Sequence, residues 1–430
     1  MGFEISEQAS LTDVGVRRSH NQDAYGVMLA GDTEAWQDRG HLILVADGMG
    51  AHAVGEMASK MAADLILHNY QKHANLGPQT ALRRAFAEAN TTIHQRGLQN
   101  QEFKGMGTTG TCLVVRPEGA WLAHVGDSRC YRIRSGQVEQ ISFDHSLQWE
   151  LARRQQIDPA KLTGIPSNVI VRSLGPESQV QVDIEGPHVL MPGDIFLLCS
   201  DGLSNQVSDQ ELGATVTALP LEEACQYLVD MANYHGGPDN ITIVTVRLAG
   251  KPPSDPSSEQ PAMAKPKPSL WQTLPWAGIA FGSGITLAIM ALVLQLGLQA
   301  TALAIVTFIF ALGMLVAGFI GLYKAAQKPP PLDPEDEASP PQVHRRASCR
   351  IDEALVKKTM QTEAKLQELI RENGWTVPWA KHAKHLQAST AYLQKGDLRS
   401  AYREQCRAIT VLTSAIRDNR EKNESFRPNW

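Results

Sequence analysis

The sequence predicts an α+β domain built on antiparallel sheets, followed by an apolar two-helix hairpin and a small helical domain. Three observations carry this. Two apolar runs end abruptly on Asp-Gly, at Asp47-Gly48 and Asp201-Gly202, and a third strand end bears the same pair reversed, Gly126-Asp127. Two helical patterns, near 55–70 and 79–95, stand together between groups of strand-like runs instead of alternating with them, which favours antiparallel sheets. Beyond them, residues 271–323 contain no Asp, Glu, Lys, Arg or His.

A length of 430 residues fits about two or three domains. Residues 1–250 hold 18 Lys+Arg against 29 Asp+Glu, and residues 251–430 hold 22 against 16, so −11 and +6 give the overall −5. An acidic front half argues against a nucleic-acid surface and suits a cation site. The cysteines, Cys112, Cys130, Cys199, Cys225, Cys349 and Cys406, form no CxxC pair. That spacing fits a reducing compartment. The opening MGFEISEQAS lacks a secretory pattern, so the first domain is expected in the cytosol. Met1-Gly2 with Ser6 matches a loose myristoylation pattern, but residues 3–9 read better as an alternating strand.

Asp-Gly is a common turn dipeptide, so the repetition is what matters. A carboxylate at the mouth of a buried strand, beside a closely approachable backbone, suits a hard metal ion. In LTDVGVRRSHNQDAYGV, Asp13, Arg17 and Asp23 flank a turn, and Arg17 offers a planar fork for phosphate oxygens. Strands are expected at 108–116, 120–125 and 130–133, a short helix at 145–154 and an irregular flap at 163–187. A strand pair around Pro192-Gly193 and helices within 209–234 follow, and Asp239-Asn240 precedes a last strand. Residues 48–53, GMGAHA, satisfy GxGxxA, but the preceding Asp47 would repel a pyrophosphate and a second helix follows the first, so a dinucleotide site is rejected.

In order and spacing, RRSHNQD, VADGMG, GTTGT, HVGDSR, DHSL, LLCSDGL and PDNITIV make residues 10–248 resemble the metal-dependent type 2C serine/threonine protein phosphatases, the PPM family. The resemblance implies a four-layer α-β-β-α sandwich, two antiparallel sheets flanked by helices, with a binuclear Mg²⁺ or Mn²⁺ centre at one end. It also implies roles. Asp47 would bridge two metals, Asp201 and Asp239 would complete one site, and Asp23 with the Gly48 carbonyl the other. Asp127 is similar to a residue of prokaryotic members that helps bind a third, weaker metal, and Arg17 would hold the substrate phosphate. A water shared by the two cations would attack phosphorus in line, without a phosphoenzyme. Clustered His or Cys ligands for zinc are missing around these aspartates. Two departures stand out: Met49 occupies a position where many eukaryotic members carry a histidine that protonates the leaving group, and Gln22 stands where a glutamate often precedes the metal aspartate.

The implied domains are 1–250 for the phosphatase, a disordered Pro/Ser linker at 251–270, a two-span transmembrane hairpin at 271–323, a second linker at 324–349 and a helical docking domain at 350–430. The uncharged run is right for two spans of ~20 residues each, near 275–296 and 301–323. Lys265, Lys267, Lys324, Lys328, Arg345 and Arg346 flank it, which places both ends on the cytosolic side of the cytoplasmic (inner) membrane. Residues 345–348, RRAS, resemble a basophilic kinase target. Helices are expected at 351–373, 378–394 and 398–419, as a surface for a protein partner or self-association.

The expected activity is therefore hydrolysis of phosphoserine and phosphothreonine proteins, the targets of a cognate Ser/Thr kinase, at a lipid bilayer. The alternative from another class is a non-catalytic phosphatase-fold sensor or scaffold. The retained aspartates and Arg17 favour the enzyme.

Overall fold

The computed structural model describes residues 4–50, 53–162, 164–166, 169–250, 276–297, 301–326 and 339–425. The myristoylation pattern at Met1-Gly2 and the linker read at 251–270 lie outside them. Two compact units result: residues 1–252 with 338–430, and residues 253–337.

In chain order the first unit begins with β1 (Glu4–Asp13), β2 (Asp23–Met28), α1 (Thr33–Asp38), β3 (His41–Met49), α2 (Ala53–His73) and α3 (Pro78–Leu98). Then come β4 (Gly107–Thr108), β5 (Gly110–Arg116), β6 (Gly119–Val125), β7 (Arg129–Arg134), β8 (Gln137–Gln140) and α4 (Leu147–Gln155). This stretch closes with β9 (Asp183–His188), β10 (Ile195–Cys199), α5 (Asp201–Ser204), α6 (Asp209–Ala218), α7 (Leu221–Tyr234) and β11 (Ile241–Ala249). One sheet runs β2-β3-β5-β6-β9, with β4 paired to β3. In the other, β1-β11-β10-β7-β8 takes a further edge strand from the C-terminal segment.

Period-two alternation distributes the apolar residues among three cores, because successive strand side chains point to opposite faces. Ile43, Val45, Leu113 and Val115 meet Phe196, Leu198, Val244 and Val246 between the sheets. From the same strands Leu42, Leu44, Cys112 and Val114 face α2 and α3, meeting Ile66, Leu82, Phe86 and Ile93. On the far side Ile133, Leu197 and Ile243 face α6 and α7. The layers are thus helices, sheet, sheet, helices. The run expected as one strand at 108–116 is broken at Thr109, whose N–H donates to the Asp47 carbonyl (2.8 Å) and whose Oγ1 accepts from the Asp47 N–H (2.8 Å).

Residues 339–349, read from the sequence as the end of a linker, form instead a strap on the two sheets. Ser339 bridges Glu185 of β9, Glu185 also accepts from the Gln342 N–H (3.0 Å), and β12 (Arg345–Ser348) pairs antiparallel with β8, Arg345 opposite Gln140. Three helices follow in this unit. They are numbered after the two of the second unit, α8 (Trp276–Gly297) and α9 (Thr301–Ala326), as α10 (Glu353–Glu372), α11 (Trp379–Gln394) and α12 (Leu398–Ser425). The core beneath α6 and α7 continues without a break into this segment: Leu212, Val216 and Leu228 share one cluster with Leu355, Leu366, Tyr402, Ile409 and Leu412. Polar groups are matched across the join, with Thr215 to Tyr402 at 3.0 Å and Asp230 accepting from Thr413 at 2.6 Å.

In the second unit α8 and α9 pack on each other through small residues, with Gly284 against Ala311 and Leu315. Here the sequence expectation needs correction. Among the described residues no helix is long and apolar enough to cross a membrane. The two-span transmembrane hairpin, the lipid bilayer as partner and the inner-membrane location are therefore not retained.

Gly213 tests the join directly. A glycine inside a helix ordinarily costs about 1 kcal/mol relative to alanine. A Cβ at Gly213 would, however, lie 2.5 Å from the Cys349 Cβ. Gly213→Ala is expected to lower stability in urea unfolding despite its better helix propensity; a rise would show that the strap does not bear on α6.

Candidate metal centre

The ends of both sheets meet at one edge of the sandwich, and each contributes carboxylates. Asp23 opens β2 directly opposite Asp47 on β3. Asp127 sits in the turn between β6 and β7, Asp201 is the first residue of α5 after β10, and Asp239 precedes β11. Like charges directly opposite on a sheet are destabilising, so the Asp23–Asp47 register is costly unless something offsets it.

The glycines explain how the backbone tolerates this crowding. A Cβ at Gly48 would fall 2.1 Å from the Gly55 carbonyl oxygen, and one at Gly202 would fall 2.0 Å from that of Asn240. Neighbouring backbone occupies the space that any side chain would need. At Gly126 the φ of +112° adds a conformational requirement for glycine.

Electrostatically the cluster is strained. Burial, with Asp201 and Asp239 adding repulsion, pushes the Asp23 carboxyl up to about 7 against hydrogen bonds from Thr242 and Ser200 that favour its charged form. Asp201 is pushed up to about 6 by burial and by Asp239, with Arg129 and a hydrogen bond to Asp47 opposing. Asp47 and Asp127 are held well above the usual carboxylate range, chiefly by burial and then by neighbouring aspartates. Asp23 Oδ1 and Asp127 Oδ1 are buried with no hydrogen-bond partner among the described residues.

Orphaned buried carboxylate oxygens beside repelling neighbours fit a hard cation. Among the described residues no three His, Cys, Asp or Glu side chains close on one point as a finished shell. Mg²⁺ requires no such shell, because it keeps several waters and takes one or two carboxylates. The residues present therefore fit ions of this kind.

Arg17 and Arg18 part company at the rim. Arg18 donates to Asp239 (2.8 Å). Arg17 is exposed, makes no ion pair among the described residues and is fixed only through its N–H to the Gly237 carbonyl (3.1 Å). Its fork is open to an incoming anion. Gln22 donates from its side chain to the Gly50 carbonyl (3.2 Å), and Met49 ends β3 with no group able to give a proton.

Several positioning residues were not singled out from the sequence. Ser200 donates to Asp23 Oδ2 (2.7 Å). The Asn240 side chain accepts from the Gln22 N–H (2.8 Å) and donates to the Val14 (2.8 Å) and His20 (2.9 Å) carbonyls, tying the RRSHNQD loop to β11. His145 Nδ1 accepts from the Gly126 N–H (3.0 Å) behind Asp127, and its Nε2 meets Asp183 at 2.9 Å. Arg129 grips Asp144 with Nε (2.9 Å) and Nη2 (2.7 Å). Each lies inside a motif already quoted, and Ser200, Asn240 and Arg129 stand one or two positions from a candidate aspartate. The signal was there as motif membership, but nothing in the residue type gave the role.

The family profile described as Protein phosphatase 2C matches residues 16–233. The protein phosphatase PhpP of Streptococcus pneumoniae is 38% identical over 250 residues, 56% of this chain and 97% of that protein. The serine/threonine phosphatase stp of Listeria monocytogenes is 34% identical over 244 residues, 55% of this chain and 93% of that protein. Among solved structures, the Mycobacterium tuberculosis serine/threonine phosphatase PstP/Ppp aligns with a TM-score of 0.51 at 30% identity, covering 58% of this chain and 100% of that one. With the aspartate-lined sandwich end described above, these likenesses identify the chain as a member of the protein phosphatase 2C (PPM) family and as a serine/threonine phosphatase.

Proposed function

We propose that the acidic cluster holds two Mg²⁺ or Mn²⁺ ions, with Asp127 serving a third, and that the chain hydrolyses phosphoserine and phosphothreonine in proteins, the products of a cognate Ser/Thr kinase. The observation that carries this reading is the pair of buried, partnerless oxygens on Asp23 and Asp127 within a cluster of mutually repelling carboxylates. Bound divalent cations supply the positive charge that activates water and offsets charge on the phosphate. Asp47 stands opposite Asp23 and feels the charges of Asp201, Asp127 and Asp239 as well, which would suit it as a ligand shared between two ions. Asp23 with the Gly48 carbonyl would serve one ion, and Asp201 with Asp239 the other.

Arg17 receives the phosphate. Its guanidinium is exposed beside the Gly236-Gly237 turn and offers paired donors to two phosphate oxygens. Ser200 and Asn240 hold Asp23 and the Gln22 backbone, so the carboxylate and the arginine loop keep a fixed relation. The proton for the leaving alkoxide comes from water or from a side chain other than Met49.

Two outcomes test this. In the full chain, Mn²⁺-dependent phosphate release from a phosphothreonine peptide is expected to fall by at least about 100-fold in Asp47→Asn and in Asp201→Asn, more than loss of an outer-shell partner costs. In Arg17→Lys the main effect is expected on KM, by about tenfold, because a point charge replaces a two-pronged donor. Mn²⁺ binding without phosphopeptide turnover would point to the sensor instead.

The second outcome concerns pH without added metal. Asp23, at about 7, and Asp201, at about 6, bind protons more tightly folded than unfolded, where a carboxyl sits near 3.8. The unfolded state therefore holds fewer protons between those values, and stability must fall as pH rises through the window. Chemical denaturation from pH 4 to 7 is expected to show this loss in wild type and less of it in Asp23→Asn. Equal pH dependence in the two would contradict the assigned burial of Asp23.

A further inference from the structure

The relatives are covered almost completely by the first 250 or so residues of this chain, so the strap and α10–α12 have no counterpart in them. The strap nevertheless reaches the acidic cluster through side chains. Arg345 Nε on β12 meets Asp209 Oδ2 at 3.1 Å. Asp209 Oδ1 accepts from the Tyr131 hydroxyl (3.2 Å), and that hydroxyl accepts from Arg129 Nη1 (3.2 Å). Arg129 is two residues past Asp127 and opens β7. A second branch arrives through the backbone: the His344 N–H donates to the Gln140 carbonyl (2.9 Å), and Gln140 Nε2 donates to Asp144 Oδ1 (2.6 Å), the carboxylate that Arg129 grips.

Every member on the phosphatase side is buried. Asp209 is 7% exposed, Tyr131 1%, Arg129 9% and Asp144 3%. A buried carboxylate that loses its cation seeks another, since an uncompensated buried charge is strongly unfavourable. For Asp209 without Arg345, the side-chain donor left among the described residues is Tyr131, and the cation behind that hydroxyl is Arg129. The guanidinium would be drawn off Asp144 and away from the cluster, and the Gly126-Asp127-Ser128 turn would lose its fixed flank.

Resting on the reading that the cluster binds divalent cations, we propose that the C-terminal strap sets the cation affinity of the centre, with Arg345 as a positioning residue that acts through Asp209, Tyr131 and Arg129. The partner of this surface is the chain's own residues 339–348. Its neighbour on β12 supplies an internal control: Arg346 pairs with Glu139, which pairs with Arg132, a residue farther along β7 from the Asp127 turn.

The test is calorimetric titration of the full chain with Mn²⁺, which needs no turnover. Mutations within coupled networks shift such equilibria by about 0.5–2 kcal/mol, or about two- to thirtyfold. Arg345→Ala is expected to weaken Mn²⁺ binding by about three- to tenfold, Arg345→Lys to restore much of it, and Arg346→Ala to match wild type. In a Tyr131→Phe background, Arg345→Ala should have no further effect, because the chain of contacts is already cut. Hydrogen exchange at residues 345–348 shows whether the strap stays docked. Wild-type affinity in a docked Arg345→Ala overturns the proposal, as does an undiminished effect in the Tyr131→Phe background or equal losses in Arg345→Ala and Arg346→Ala. Absence of Mn²⁺ binding by the wild-type chain is a different result, which overturns the metal reading itself.

Discussion

Repulsion among buried carboxylates is the constraint on which the rest of this structure depends. At an effective dielectric of about 20, two like charges ~4 Å apart repel by about 4 kcal/mol. Asp23 and Asp47 are cross-strand neighbours, and Asp201, Asp127 and Asp239 add to the same field. A fold does not gather such groups for stability. What holds them together is backbone: Gly48 and Gly202 let adjacent chain pass where a Cβ would stand, Thr109 ties both the N–H and the carbonyl of Asp47, and Ser200 and Asn240 satisfy the loops around Asp23. The cores between and outside the sheets supply the rigidity against which this strain is kept.

The C-terminal segment is part of that rigidity. Its helices do not form a separate core; Tyr402, Ile409 and Leu412 complete the one beneath α6 and α7, and Asp230 of α7 finds Thr413 and Arg417 there. The strap then crosses from the β9 edge of one sheet to the β8 edge of the other. Edge strands expose unpaired backbone groups that invite pairing with other chains. Here the chain covers its own β8 edge, and the new edge, β12, carries Arg345 and Arg346.

Much of the site was legible because its chemistry is written in short motifs. Asp47-Gly48 and Asp201-Gly202 could be read as strand ends, and at both glycines neighbouring backbone occupies the place of a side chain. Three- and four-residue spacing placed helices at 351–373, 378–394 and 398–419 in the C-terminal segment, where the structure has them at 353–372, 379–394 and 398–425. What the sequence could not reveal was contact between distant segments. Arg345-Arg346-Ala347-Ser348 reads as a charged linker because its pairing partner lies some two hundred positions earlier, and no local period announces an added edge strand. For the same reason Arg129 and His145 showed no role until Asp144, Tyr131 and Gly126 were placed around them. The uncharged run at 271–323 gave the opposite lesson: composition alone suggested a membrane, whereas the described residues supply a helical pair with no helix long and apolar enough to cross one.

The most direct measurement is the anomalous difference map of a full-chain crystal soaked in Mn²⁺ and recorded at the manganese edge. A metal-dependent phosphatase predicts peaks within ligand distance of Asp47, one reaching Asp23 and the other Asp201. A map with no peak at the junction of β3, β10 and β2, from crystals that bind Mn²⁺ elsewhere or not at all, would contradict the assignment of this cluster as the catalytic centre.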